Sequence, residues 1–160
     1  HMKENNLETI VNNIVGDAIV KEVMSLKLAV KLIETVEEKA AEMGLAVVVA
    51  VSDASGRPIA VHCMDGAYHG SFDVAVNKTY TSTAFQMSTA KLSRLCQPGQ
   101  DLYGLQFSNN GKVMILGGGE PLMVGKTMIG ALGVSGGSAQ EDSDLAAYGA
   151  SALKEVIKCL

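Results

Sequence analysis

The chain has 160 residues, 48% of them apolar, and a mean hydropathy of +0.21, so one folded domain with a real core is expected and disorder is excluded. A formal charge of −4, with acidic and basic residues interleaved, argues against a nucleic-acid footprint. No apolar run approaches about 18 residues and no basic-then-apolar leader is present, so neither a membrane span nor secretion is expected.

In chain order, residues 5–23 spell an amphipathic helix with Leu7, Ile10, Val11, Ile14 and Ala18 on one face. Gly16 in its middle costs about 1 kcal/mol relative to Ala, so this helix calls for a partner surface. Two readings stay open: an extra helix packed on the domain, or a targeting segment that docks in a groove on another protein. Ser25 caps a second helix that runs to Met43 and stops at Gly44, with Leu26, Ala29, Ile33, Val36, Ala40 and Met43 as its buried stripe. Leu45–Val51 is a valine-rich run suited to a strand covered on both faces, and Asp53–Gly56 turns it back into Arg57–Met64. Alternation places Ile59, Val61 and Cys63 on one face and Ala60, His62 and Met64 on the other. Pro58, lacking an N–H, belongs at a strand start or an edge.

Ser71 is expected to cap a helix that reaches Met87, in which Lys78 is the one charge among Val74, Ala75, Thr79, Ser82 and Phe85. A lysine in such small and apolar company either snorkels to water or is held by a specific anion. Ser88 starts a short helix that ends near Cys96, and Gln97–Gln100 is a turn. Lys112–Leu116 reads as a third strand, followed by Gly117-Gly118-Gly119 and a hairpin of Leu122–Val124 and Thr127–Ser135 around Gly125-Lys126. Gly130 and Gly133 leave room for a helix or ligand against the last strand. Ser138…Glu141 is a capping box, and the closing helix turns Leu145, Tyr148, Ala152, Val156 and Leu160 inward. The order is helix, two strands, two helices, three strands, helix, which is an α+β layered domain with antiparallel pairing.

Several motifs fail on inspection. Gly119…Gly125-Lys126-Thr127 is one residue too long for a phosphate loop and leads into a strand. Asn77-Lys78-Thr79 is a chance sequon inside a helix. Three scattered cysteines, Cys63, Cys96 and Cys159, suit a reducing cytoplasm and exclude a disulfide framework or a cysteine-built zinc site. His1-Met2 reads as a cloning remnant, which leaves His62 and His69. With Cys63 and Met64 they make a run of side chains able to ligate a transition metal or haem iron, although His62 and Cys63 point to opposite faces of a regular strand. The plainer reading makes His62 a surface or interface histidine and His69 a neighbour of a helix cap.

Met64-Asp65-Gly66-Ala67, the helix from Ser71 through Lys78-Thr79-Tyr80-Thr81, Gln97-Pro98-Gly99-Gln100-Asp101-Leu102-Tyr103-Gly104-Leu105, Gly117-Gly118-Gly119-x-Pro121 and Ile129–Gly137 follow one another in a familiar order. Over residues 25–160 the chain resembles the GlcG/HbpS-like haem-binding family, and within it the C-terminal domain of PduO. The resemblance implies a profilin-like α/β/α arrangement with a five-stranded antiparallel sheet, homo-oligomers, haem binding and, in some members, slow haem breakdown. It also implies company with enzymes of propanediol, glycerol or glycolate metabolism. The family often has arginine before Met-Asp-Gly-Ala, where this chain has Cys63. Residues 3–24 are an addition to the family core and resemble the short peptides that direct cargo into bacterial microcompartments. The expected site therefore has His69 or His62 on iron, Lys78 on a propionate, and the backbone of Gly117, Gly118 and Gly119 against the macrocycle. The expected setting is cytoplasmic, in a microcompartment lumen, with shell or cargo enzymes as partners of residues 3–24. The alternatives are a non-haem oligomer that binds a small anion, or a weak haem-degrading enzyme.

Overall fold

The computed structural model describes residues 7–11, 13–14 and 23–160. Residues 7–11, 13 and 14 are helical and Val23 is a bend; the rest of the expected 5–23 helix, Gly16 and Ala18 included, lies outside the described residues. Helix α1 spans Leu26–Glu42 and begins where Ser25 Oγ accepts the N–H of Leu28 at 3.1 Å. It ends in a Schellman turn: Gly44 takes φ +71°, and the N–H groups of Gly44 and Leu45 donate to the carbonyls of Ala41 and Ala40. Its buried face is Leu28, Ala29, Leu32, Ile33, Val36 and Ala40. Leu26 and Met43, expected in that stripe, sit at the helix ends and are exposed.

Strands β1 (Val48–Asp53), β2 (Pro58–Cys63), β3 (Gly119–Val124) and β4 (Thr127–Ser135) form one antiparallel sheet in the order β2-β1-β4-β3. Central β1 is buried on both faces, as its unbroken apolar run requires. Pro58 and Pro121 fall on edge strands, where a missing N–H breaks no ladder: Pro58 opens β2 and Pro121 lies in β3. Gly125 takes φ +60° at the tip of the β3–β4 hairpin, as a Gly-first two-residue turn demands.

Helices α1 and α4 (Ala139–Lys158) cover one face, with Val49, Val51, Leu132 and Val134 beneath them in the main core. Helix α2 (Ser71–Phe85) covers the other face over Val48 and Ala50. Helix α3 (Thr89–Leu95) closes a small satellite core of Leu92, Cys96 and Val113.

The sheet has four strands, not five. Lys112–Leu116 runs outside it, because a helix side chain satisfies its backbone: the N–H of Met114 donates to Thr81 Oγ1 of α2 at 2.8 Å. Alternation along β2 holds for His62 and Val61, but Ile59 joins the α1–α4 core after a register shift at Val51/Ser52. Ser71 is the first residue of α2 and not its cap; Gly70 holds that place without a side-chain bond. In α4 the buried face is Asp142, Leu145, Ala146, Gly149, Leu153 and Val156, while Tyr148 and Leu160 are exposed.

Candidate functional site

Lys78 is the largest fully buried side chain, at 1% exposure. Its Nζ donates to the carbonyl of Val134 at 2.7 Å and to Asp142 Oδ2 at 3.0 Å. The other carboxylate oxygen of Asp142 accepts the N–H of Gly137 at 2.8 Å. One ion pair thus ties α2 to the end of β4 and to the first turn of α4. Burial pulls the Lys78 ammonium below the ordinary lysine range, and the Asp142 carboxylate opposes that shift. The anion that the composition of α2 called for is supplied from within the chain. Within this chain Lys78 is held by Asp142 and the Val134 carbonyl, and a propionate would have to displace Asp142 to reach its Nζ.

The triple glycine belongs to the same internal construction. Gly117, Gly118 and Gly119 are all buried. At Gly118, φ is +120° and an added Cβ would stand 2.8 Å from Lys78 Nζ and 2.9 Å from Asp142 Cβ. At Gly119 the same atom would meet the Lys78 carbonyl and Ser82 Oγ, each at 2.8 Å. The N–H of Gly119 donates to Thr89 Oγ1 at 2.8 Å, and the Gly118 carbonyl accepts the N–H of Val134 at 2.8 Å. These residues are glycine because α2 and α4 press on the strand entry from both sides.

The histidines lie apart. His62, on β2, faces α1, where its Nδ1 is 3.0 Å from Glu37 Oε1; the His62 side chain is 36% exposed. A carboxylate acceptor at this distance orients Nδ1–H toward Glu37, and in the neutral imidazole that tautomer leaves the Nε2 lone pair free. That is how metal-bound histidines are oriented, with an outer carboxylate fixing tautomer and ring. His69 is exposed in the turn before α2, between exposed Tyr68 and Phe72. Cys63 is exposed and unpaired, and among the described residues no group of His, Cys, Asp and Glu is arranged to hold a metal ion.

Sequence reasoning missed Glu37 and Asp142. Glu37 is half-buried beside the apolar stripe of its helix and carries no motif. Asp142 sits in the first turn of α4, an ordinary place for an acid. Only the fold brings either one to its partner, across 25 and 64 positions of sequence respectively.

An uncharacterised 15.0 kDa protein from the dhaT–dhaS intergenic region of Citrobacter freundii is 39% identical over 123 residues, covering 77% of this chain and 87% of that one. The corrinoid adenosyltransferase PduO of Salmonella typhimurium is 39% identical over 109 residues, 68% of this chain but 32% of the enzyme. This chain therefore spans about a third of that relative. A solved PduOC:heme complex superposes with a TM-score of 0.77 at 35% identity, covering 81% of this chain and 94% of that one. The family described as haem degrading protein HbpS-like matches residues 24–151, and the chain belongs to that HbpS-like family.

Proposed function

We propose that this protein is a haem-binding accessory protein of a propanediol- or glycerol-type metabolic operon. The observation that carries the reading is the His62–Glu37 pair, which offers a half-exposed imidazole Nε2 in a chain similar to a protein solved with haem. His62 is the preferred iron ligand, and exposed His69 is the alternative. Haem bound there would meet the protein through side chains, since the glycine stretch and Lys78 are committed internally. Hemin titration followed at the Soret band tests this. Saturable binding is expected in wild type, weakened at least tenfold in His62→Ala and little changed in His69→Ala. The reverse pattern moves the ligand to His69, and absence of saturable binding sinks the haem reading.

A second reading is a non-haem structural oligomer. It is favoured by the same internal commitment of Lys78 and Gly117–Gly119, which removes two of the features that pointed to a ligand. Slow haem breakdown is a third outcome and would show as iron release under reductant in excess of hemin alone. Exposed Tyr68, Tyr103 and Phe107 support a homo-oligomer in either case.

Residues 3–24 are proposed as a docking segment for shell or cargo proteins of a microcompartment, in the cytoplasm. The exposed apolar face of Leu7, Ile10, Val11 and Ile14 supports this. A fluorescent reporter carrying residues 3–24 is expected to co-purify with shells, and a diffuse reporter counts against it. No described helix is long and apolar enough to cross a membrane.

A further inference from the structure

A groove of about 360 Å³ lies at the Gly125 end of the sheet, between the β3–β4 hairpin and the last turns of α4. Met123, Val124, Leu153 and Ile157 give it apolar walls, and exposed Lys154 and Lys158 border it. It is remote from His69: Ser71 Oγ meets Ser135 Oγ at 3.2 Å, which sets the start of α2 at the opposite end of β4.

The chain enters the body beside this groove. Lys27 Nζ donates to the Leu160 carbonyl at 3.3 Å, so the start of α1 adjoins the end of α4 that lines the groove. Upstream, Leu7, Ile10, Val11 and Ile14 recur at helical spacing and are exposed, Leu7 by 66%. Glu8, three positions before Val11, borders the stripe. The two surfaces are complementary: an apolar stripe bordered by Glu8, and an apolar groove bordered by Lys154 and by Lys158, which also meets Glu155 at 3.1 Å.

We propose that this groove is the seat of the chain's own N-terminal helix, with the Leu7–Ile14 stripe on Met123, Val124 and Ile157 and Glu8 toward Lys154 and Lys158. Residues 15–22 join the helix to the body, and that length of chain extends to roughly 26–29 Å at about 3.3–3.6 Å per residue. A tether so short gives an effective concentration on the order of millimolar. A contact of four apolar side chains is met in cis under those conditions, where a second copy at micromolar concentration would rarely supply it. Seated, the helix hides the stripe that a docking partner would need, so partner capture and self-docking compete. The inference stands whether or not the protein binds haem.

Hydrogen–deuterium exchange on the full chain, with carbodiimide coupling of neighbouring carboxylates and amines, tests it. The expected result is protection of the amides of residues 7–14 by tenfold or more, unchanged on hundredfold dilution, with Glu8 coupled to Lys154 or Lys158. Met123→Asp, at an exposed position that should not disturb folding, is expected to abolish both, and Lys154→Glu/Lys158→Glu to weaken both. Protection that disappears on dilution assigns the groove to a second copy and overturns the proposal. Unprotected amides, or protection indifferent to Met123→Asp, overturn it as well.

Discussion

Removing one half of the Lys78–Asp142 pair would leave the other half charged and buried, and such losses cost about 3–5 kcal/mol. Lys78→Met is therefore expected to lower Tm by roughly 10 °C, at about 2–4 °C per kcal/mol for a domain of this size. The double variant Lys78→Met/Asp142→Leu should recover most of that loss, because it removes both charges and keeps apolar volume. Equal destabilisation by the single and double variants in thermal unfolding would show that the pair is not what holds α2 to α4. The anomaly of Lys78 was legible in the sequence, since one charge amid Ala75, Thr79 and Ser82 has to be satisfied by something. What satisfies it was not legible, because an acid in the first turn of a helix is explained equally well by the helix dipole.

Elements whose signals are local came through, with the Ser71 cap as the exception. Ser25, Ser88 and Ser138 each accept an N–H from three residues ahead, and Gly44 and Gly125 take the positive φ that their turns require. Elements decided by distant partners did not. Lys112–Leu116 has strand composition, yet Thr81 takes its backbone and the sheet closes at β3. The face of α4 is set by what lies beneath it: at Gly149 an added Cβ would reach Val36 Cγ2 at 2.7 Å, so helix and core meet where the side chain is absent. Gly133 acts likewise for α2, since a Cβ there would run into the carbonyl of Ala75 and approach Thr79 Cγ2 to 3.0 Å. Gly133→Ala is expected to destabilise by about 1–3 kcal/mol through overpacking against a helix backbone. Gly70→Ala makes the contrast: the site has φ −63°, with nothing within 4 Å of the new atom, so a gain of about 0.4–1 kcal/mol is expected. Urea titration of both variants separates the cases, and equal effects would mean that close approach at Gly133 is not limiting.

For the whole molecule, the polar interior and the apolar exterior point the same way. Helix α2 buries Lys78, Thr79, Thr81, Ser82 and Thr83, while Tyr68, Tyr103, Phe107 and Leu116 remain outside in loops at or beyond its ends. A chain that spends hydroxyls in its interior and leaves rings on its surface has distributed its residues for contact with other molecules. Phe107, 78% exposed on a short 3₁₀ turn, is the most exposed of these rings. Its burial between copies would explain its position. Native mass spectrometry of wild type is then expected to show a closed homo-oligomer that takes up hemin in integral ratio to its subunits. Phe107→Asp should shift the mass to smaller species without changing the circular dichroism of the fold, because nothing in the core depends on that ring. An unchanged assembly in Phe107→Asp would remove this face from the interface. A wild-type monomer that binds hemin would leave His62 and Glu37 to hold the iron side unaided, and the tenfold loss expected for His62→Ala would then measure the whole site.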